Sequence, residues 1–522
     1  MSAGLKHPPE LRNGEPRAKL EVRRMKLSDL LSGVETARVS GPAETDVQSV
    51  VYDSRRATAG SLFFALHGEK LDGTKFAEDA VKRGATAIAS AAARPEPLSK
   101  GVAWIELPRG SERRGLARAA ANWYGHPAEA LKLIGVTGTN GKTTTTFLVD
   151  SILRAAGHTT GLIGTTGYRT PKGSRAANNT TPESLDLQQM FAEVRDAGGT
   201  HVVLEASSHA LAMERLSGCH FAAAVFTNLT RDHLDYHKTF EEYFAAKRLL
   251  FSGTGEGAPD VGVLNADDAY STQLAGLARR TLSYGLSGSP DLSARDLALS
   301  FQGLEFTAET PAGKIKARSP LVGRINVYNI LAAIGAGIGL GIPNAKIEEG
   351  IASLRLVPGR FQSIDEGQPF LVVVDYAHTD DALRNLIATA RELGPNARII
   401  TVFGAGGERD RTKRPLMGEA AGSLSDFVVL TSDNPRGEDP LRIINDVVVG
   451  LQRVNAKYRI EADREQALAA GIEEARPGDI VLLAGKGHET YQVLDTGTIE
   501  FDDREKAREI LRRKGYSKVQ AG

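Results

Sequence analysis

Gly138, Thr139, Asn140, Gly141, Lys142, Thr143 and Thr144 form a run of the residue types that a triphosphate requires. Glycines let successive backbone N–H groups turn inward as an anion-binding nest, Lys142 can reach the β- and γ-phosphates, and Thr143 offers a hydroxyl to Mg²⁺. The spacing is a variant: the general pattern asks for glycine where Val136 stands, and this chain has Gly135 and Gly138 instead. Two later runs carry further donors. Glu205-Ala206-Ser207-Ser208-His209 follows one apolar stretch, and Thr227-Asn228-Leu229-Thr230-Arg231-Asp232-His233 follows another. Hard oxygen ligands beside a phosphate suit Mg²⁺, so Glu205 with Thr143 is a candidate metal pair and His233 a candidate neighbour. Asn179-Thr180-Thr181 lies in a loop between them. Towards the end of the chain come four more polar runs, at 375–379, 404–410, 432–436 and 485–489. In them Arg409 and Arg436, near Asp433 and Glu489, suit bidentate recognition of a carboxylate.

Elements must bring these runs together. Leu133, Ile134 and Val136 read as a buried strand entering the phosphate run, and the helix through Phe147, Leu148 and Ile152 would aim its positive N-terminus at the phosphates. Strand-like runs at 201–205, 222–227 and 261–264 alternate with helical patterns, which predicts a mostly parallel, doubly wound sheet whose loops converge at its carboxyl edge. A second α/β block repeats the pattern with strands at 371–374, 398–403, 427–430 and 480–484. A smaller one, 26–110, has strands at 47–52, 61–65, 87–89 and 103–107 around a helix at 76–83. The domains expected are therefore a disordered tail at 1–25, a small α/β domain at 26–110, a central block at 111–357 and a last block at 358–522. Three domains suit 522 residues at ~150 each.

Composition narrows the partners. Lys plus Arg equals Asp plus Glu at 64 each, so no overall field draws nucleic acid or an anionic membrane. The polar N-terminus reads as neither signal peptide nor anchor, and the apolar stretch 330–342 is too short and Gly-rich to span a bilayer, so it reads as a buried helix. The one cysteine, Cys219, excludes a disulfide framework and fits the cytoplasm.

Taken together, GTNGKTT at 138–144, SSH at 207–209, TNLTRDHLDYH at 227–237, AAKR around Lys247, VYN at 327–329 and DYAHT at 375–379 resemble the Mur ligase family, in matching order over 26–515. Within it, GERD followed by SDNPRGEDP and GKGHE is similar to the members that add meso-2,6-diaminopimelate. The resemblance implies an ATP-dependent acid–amino-acid ligase of peptidoglycan precursor synthesis, working in the cytoplasm as a monomer. Its small-molecule substrates would be ATP, meso-diaminopimelate and UDP-N-acetylmuramoyl-L-alanyl-D-glutamate, with no nucleic acid and no membrane. It implies a UDP-binding first domain, a central P-loop ATPase and a C-terminal Rossmann-like domain.

Carried over residue by residue, Ser54 and the turn at 69–71 would hold the uridine diphosphate. Asn179, Thr180, Thr181, Ser207 and Arg215 would hold the muramoyl dipeptide. The 138–144 run would bind the ATP phosphates, Asn326 and Asn329 would lie near the base, and Asp375 would meet the ribose. Thr143, Glu205 and His233 would organise Mg²⁺; Arg409, Asp433, Asn434, Pro435, Arg436, Gly485 and Glu489 would bind diaminopimelate. Lys247, which otherwise reads as a solvated helix charge, would carry a CO₂-derived carbamate that binds a second Mg²⁺, so that Lys142, Glu205, His233 and Lys247 make up the catalytic group. Two departures stand out: Met213 where some members carry glutamine, and Asp380 where proline often follows DYAHT. A folylpolyglutamate-type ligase would lack the DNPR and GKGHE pair, and a regulatory GTPase would need an Asn-Lys dipeptide that this chain does not contain.

Overall fold

Strands and helices alternate along nearly the whole chain, as short apolar runs separated by longer amphipathic ones dictate. The structure is a computed structural model, and it describes residues 23–42, 44–68, 72–95 and 101–517. Two compact units, Met1–Gly115 and Leu116–Gly522, divide within the helix Glu112–Tyr124.

The first unit holds a five-stranded sheet in the order Arg38–Ser40, Ala103–Glu106, Ala85–Ser90, Ser61–Phe64, Ser49–Val51, parallel except for the first pair. Phe63, Ile88 and Trp104 pack its core against Ala77 and Ala80 of helix Ala77–Lys82. Met25 and Lys26 pair with Asp46–Val47. Met25 is thus in a strand and not in the tail expected over 1–25, because its backbone finds ladder partners there.

In the second unit the chain runs through β1 (Lys132–Thr137), α1 (Lys142–Ala155), β2 (Thr160–Gly164), β3 (His201–Glu205), β4 (Phe221–Phe226), α2 (Phe240–Ser252), β5 (Val261–Asn265), β6 (Arg280–Gly285) and α3 (Arg324–Gly339). An 11-stranded sheet has β2-β3-β1-β4-β5-β6 as its parallel centre; antiparallel strands extend it beyond β2, and beyond β6 Leu292–Ser300 joins parallel before two antiparallel strands follow. The longer extension, Leu292–Ser300, Gly303–Thr310 and Gly313–Ser319, was not expected from the sequence. Leu148 and Ile152 of α1 pack with Ile330, Leu331 and Ile334 of α3 in the main core. The apolar stretch 330–342 is indeed buried helix for most of its length. Its glycines let neighbours in: a Cβ on Gly335 would sit 2.7 Å from Val263. No helix among the described residues is long and apolar enough to cross a membrane.

The chain then builds β7 (Leu371–Asp375), α4 (Asp380–Leu393), β8 (Ile399–Ala405), β9 (Phe427–Ser432), α5 (Arg464–Glu474), β10 (Ile480–Ala484) and α6 (Asp503–Arg513). These strands form a parallel β7-β10-β8-β9 sheet, with Gln362–Ile364 antiparallel at one edge and Tyr458–Ile460 parallel at the other. The loops after β1, β3 and β7 line one cleft.

Candidate active site

At the carboxyl end of β1 the chain must turn sharply to start α1, and it does so on two glycines with positive φ, Gly138 (145°) and Gly141 (85°). Neither tolerates a side chain. A Cβ on Gly138 would lie 1.8 Å from Thr227 Oγ1, and one on Gly141 would lie 2.4 Å from Asn329 Oδ1. The loop is clamped by the segment after β4: Thr227 Oγ1 donates to Asn140 O (2.6 Å), Thr139 N to Asn228 O (2.8 Å) and Asn140 N to Asn228 Oδ1 (2.9 Å). Asn326 and Asn329 approach from α3, where Asn329 Nδ2 donates to Asn326 Oδ1 (2.9 Å) and Thr145 Oγ1 to Asn329 Oδ1 (3.4 Å). Lys142 Nζ folds back onto Gly138 O (3.0 Å) and Thr139 O (2.8 Å), and burial holds its pKa below the usual lysine range.

Thr143 Oγ1 donates to Glu205 Oε1 (3.0 Å), and Glu205 also accepts from Thr165 N (2.9 Å) and, through Oε2, from Thr165 Oγ1 (3.0 Å). His233 takes a left-handed backbone (φ 55°), with Nε2 3.4 Å from Asp232 Oδ2, and desolvation in the cleft lowers its pKa against the pull of the Asp232 charge. Lys247 is buried. Its Nζ donates to Gly138 O (2.8 Å) and lies 4.3 Å from the Tyr243 ring centre. Burial first, and the Lys142 charge second, drive its pKa well below the ordinary lysine value, so the neutral amine is favoured. The hard oxygens of Thr143 and Glu205 fit Mg²⁺, with His233 beside them. No group of three His, Cys, Asp or Glu side chains among the described residues could hold a metal ion unaided, so phosphate oxygens or a modified lysine would have to complete the shell.

Thr181, Ser207 and Arg215 gather beside Glu205. Thr181 Oγ1 donates to Glu205 O (2.6 Å) and accepts from Ser207 N (3.1 Å), while Arg215 Nη1 donates to Thr181 O (2.9 Å). Met213 Sδ accepts from Arg215 Nη2 at 3.5 Å, so this departure gives the arginine a weaker acceptor than an amide oxygen would. Thr180 Oγ1 is 3.1 Å from Thr165 Oγ1, and Asn179 O accepts from Tyr168 OH at 2.5 Å. Asp375 is engaged by Phe361 N (2.7 Å) and Ala377 N (2.8 Å), and burial raises its pKa. The other departure, Asp380, opens α4 behind the Thr379 cap, where a carboxylate suits the helix dipole.

The loops after β9 and β10 form a second cluster. Lys486 Nζ donates to Asp433 Oδ1 (3.1 Å), Asn434 Oδ1 (2.9 Å) and Glu489 Oε2 (3.2 Å), and Asn434 Nδ2 donates to Glu489 Oε2 (3.0 Å). Arg436, after the buried Pro435, is left-handed (φ 55°) and spends Nη1 on Gly407 O (2.8 Å) and Asn434 O (3.2 Å). Gly485 lets Asp433 approach: a Cβ there would lie 2.8 Å from Asp433 Oδ2. Arg409 is exposed and makes no hydrogen bond to this cluster among the described residues. In the first unit, buried Ser54 Oγ donates to Asp79 Oδ2 (2.9 Å); the expected 69–71 turn lies outside the described residues.

Three domain models match the chain: the Mur ligase family, catalytic domain, over 46–124, the Mur ligase middle domain over 136–337, and the Mur ligase, glutamate ligase domain, over 359–487. The chain belongs to the Mur ligase family. It is 55% identical to the UDP-N-acetylmuramoyl-L-alanyl-D-glutamate--2,6-diaminopimelate ligase of Solibacter usitatus, covering 95% of this chain and 100% of that one. The Geobacillus thermodenitrificans protein of the same name is 45% identical over 94% and 99%. A solved structure of a ligase so named superposes with a TM-score of 0.64 at 33% identity, covering 95% of this chain and 100% of the other.

Sequence reasoning passed over several residues that this Mur ligase brings to the two clusters. Arg360 Nη2 donates to Thr143 Oγ1 (3.2 Å) and stacks 4.8 Å over the Tyr376 ring. Asp381 Oδ2 accepts from Asn140 Nδ2 (2.6 Å) and Thr230 Oγ1 (3.1 Å). Lys486 is the hub of the second cluster. Arg360 and Asp381 give no spacing signal because their partners lie some 150 to 240 positions away in sequence. Lys486 stood inside the quoted GKGHE run and could have been found as a buried cation among carboxylates.

Proposed function

We infer that this chain joins meso-2,6-diaminopimelate to the γ-carboxylate of D-glutamate in UDP-N-acetylmuramoyl-L-alanyl-D-glutamate, at the expense of ATP. The reading is carried by one conjunction: a phosphate loop with Lys142 and the buried Lys247 at the edge of one sheet, and an Asp433, Asn434, Arg436, Lys486, Glu489 pocket at the edge of the next.

The γ-carboxylate oxygen attacks the γ-phosphorus, ADP leaves, and the amine then attacks the acyl carbon and expels phosphate. Lys142 exchanges the carbonyls of Gly138 and Thr139 for phosphate oxygens and neutralises their charge as it spreads. Thr143, Glu205 and His233 would hold Mg²⁺, which when bound screens the phosphates from the carboxylate. The neutral Lys247 amine would add to CO₂ and lose a proton, becoming an anionic oxygen donor for a second ion. Thr180, Thr181, Ser207 and Arg215 position the muramoyl dipeptide, Asn326, Asn329 and Asp375 the nucleoside, and Ser54 the uridine diphosphate. Arg436, with Nε and Nη2 free of partners among the described residues, pairs with the second carboxylate of diaminopimelate, while Asp433 and Glu489 attract its ammonium groups. Lysine would leave that guanidinium unpaired. The balanced charge supplies no overall field for nucleic acid or an anionic membrane, and the family resemblance supports a monomer acting in the cytoplasm.

The test is phosphate release with Mg-ATP and the UDP-muramoyl dipeptide, with diaminopimelate, L-lysine or no amino acid in parallel. Tripeptide should form with diaminopimelate alone. Equal turnover with lysine would remove the selectivity argument, and none with either would remove the reaction.

A further inference from the structure

The strand ends that carry the second cluster are not held together by the sheet. β8 lies between β9 and β10; it stays paired with β9 as far as Ala405 and Ser432, but with β10 only as far as Val402 and Leu483. Past that point the side chain of Lys486 reaches Asp433 and Asn434, and a guanidinium joins the two backbones. Arg464, the first residue of α5, donates from Nη1 to Ser432 O (3.2 Å) and from Nη2 to Ala484 O (3.0 Å). Those are the last carbonyls of β9 and β10, and the next residues are Asp433 and Gly485. The guanidinium is fixed in turn by Asp503, the first residue of α6, through Nε to Oδ1 (2.8 Å) and Nη2 to Oδ2 (2.6 Å), and both side chains are 0% exposed.

A fully buried ion pair is a poor means of holding two helices together, since well-packed apolar side chains of similar volume often serve as well or better. What apolar side chains cannot do is grip two carbonyls at a set separation. We propose that the Arg464–Asp503 pair is the positioning element of the amino-acid pocket, setting the distance between the 433–436 and 485–489 loops and so the geometry in which Asp433, Asn434, Lys486 and Glu489 meet the incoming amino acid. This rests on the diaminopimelate-ligase reading above. The pair touches no substrate, and it acts through the two carbonyls.

The test compares full-length wild-type protein with the double variant R464M/D503L, which removes both charges at once, and with D503N, which keeps the shape. KM is measured for diaminopimelate, ATP and the UDP-muramoyl dipeptide, with circular dichroism as the check on folding. In the double variant KM for diaminopimelate should rise about 10-fold or more while the other two stay within about twofold, as loosened support of a site does. ADP formed in a single turnover without amino acid should be unchanged, and D503N should show the same ordering with a smaller rise. An unchanged KM for diaminopimelate in the folded double variant, or a parallel rise in all three, would overturn the proposal. So would failure of both variants to fold, since the pair would then be structural only. Wild-type protein that does not use diaminopimelate would overturn the functional reading and this one with it; active wild type with an unaffected variant sinks the pair alone.

Discussion

Lys247 sits inside α2, buried and near the Lys142 charge, surroundings in which an ammonium is costly despite the Tyr243 ring and the Gly138 carbonyl beside it. Lys247→Ala removes the amine and should lower ligation about 10³-fold, the scale of losing a fixed electrostatic partner in an active site, and bicarbonate should not restore it. Near-normal turnover of that variant would dismiss the carbamate. Arg436→Ala should raise KM for diaminopimelate by about 10- to 100-fold, as loss of a charge-assisted pair does, and leave KM for ATP alone. An unchanged KM for diaminopimelate would contradict the pairing. At this scale the sequence was readable where a residue type is rare for its setting, as with the glycines and lysine of the phosphate run. Arg464 and Asp503 were not readable: they are 39 positions apart, and each looks like an ordinary charge in the first turn of a helix.

The parallel strands β1, β3, β4, β5 and β7 to β10 were legible because strands buried on both faces are continuous apolar runs. The extension over 292–319 was not. Its strands alternate buried and exposed residues, with Lys314, Lys316 and Arg318 facing out between Ile315, Ala317 and Ser319, and no chemistry drew attention to them. β3 supplies a pH-dependent property of its own. Its first residue, His201, lies 4.3 Å from the His158 ring and 2.7 Å from Thr200 Oγ1. Burial first, then the positive neighbours His158 and Lys132, lower its pKa from 6.5 to about 4. The folded chain keeps this imidazole neutral where the unfolded chain would protonate it. Its contribution to stability is therefore full above pH 6.5 and lost as pH falls towards 4. His201→Phe should flatten the fall in thermal midpoint between pH 7 and pH 5; equal falls in both proteins would assign the acid sensitivity elsewhere.

Across the second unit, the central block meets the last α/β block through polar contacts that include Asn140 with Asp381, Thr143 with Arg360, Arg231 with Thr412 (2.8 Å) and Arg324 with Glu392 (2.6 Å). Contacts of this kind can be broken and remade, which suits hinge closure about Pro358 and Gly359. Small-angle scattering should show compaction when all ligands are added, and less of it in Asp381→Ala, with kcat/KM lowered about tenfold, the scale of one charge-assisted hydrogen bond. Profiles that do not change with ligands would count against closure. The order of the blocks could be read from the sequence, but these contacts could not, because each joins residues whose partners are set by folding alone.

Two lysines, Lys142 and Lys247, donate to the single carbonyl of Gly138. The Lys142 cation makes Lys247 harder to protonate, and a triphosphate arriving beside them would do the opposite. The CO₂ uptake proposed for Lys247 needs the unprotonated amine, so it would precede nucleotide binding and would not recur in each turnover. Labelled bicarbonate should accordingly enter Lys247 faster in the absence of ATP than in its presence.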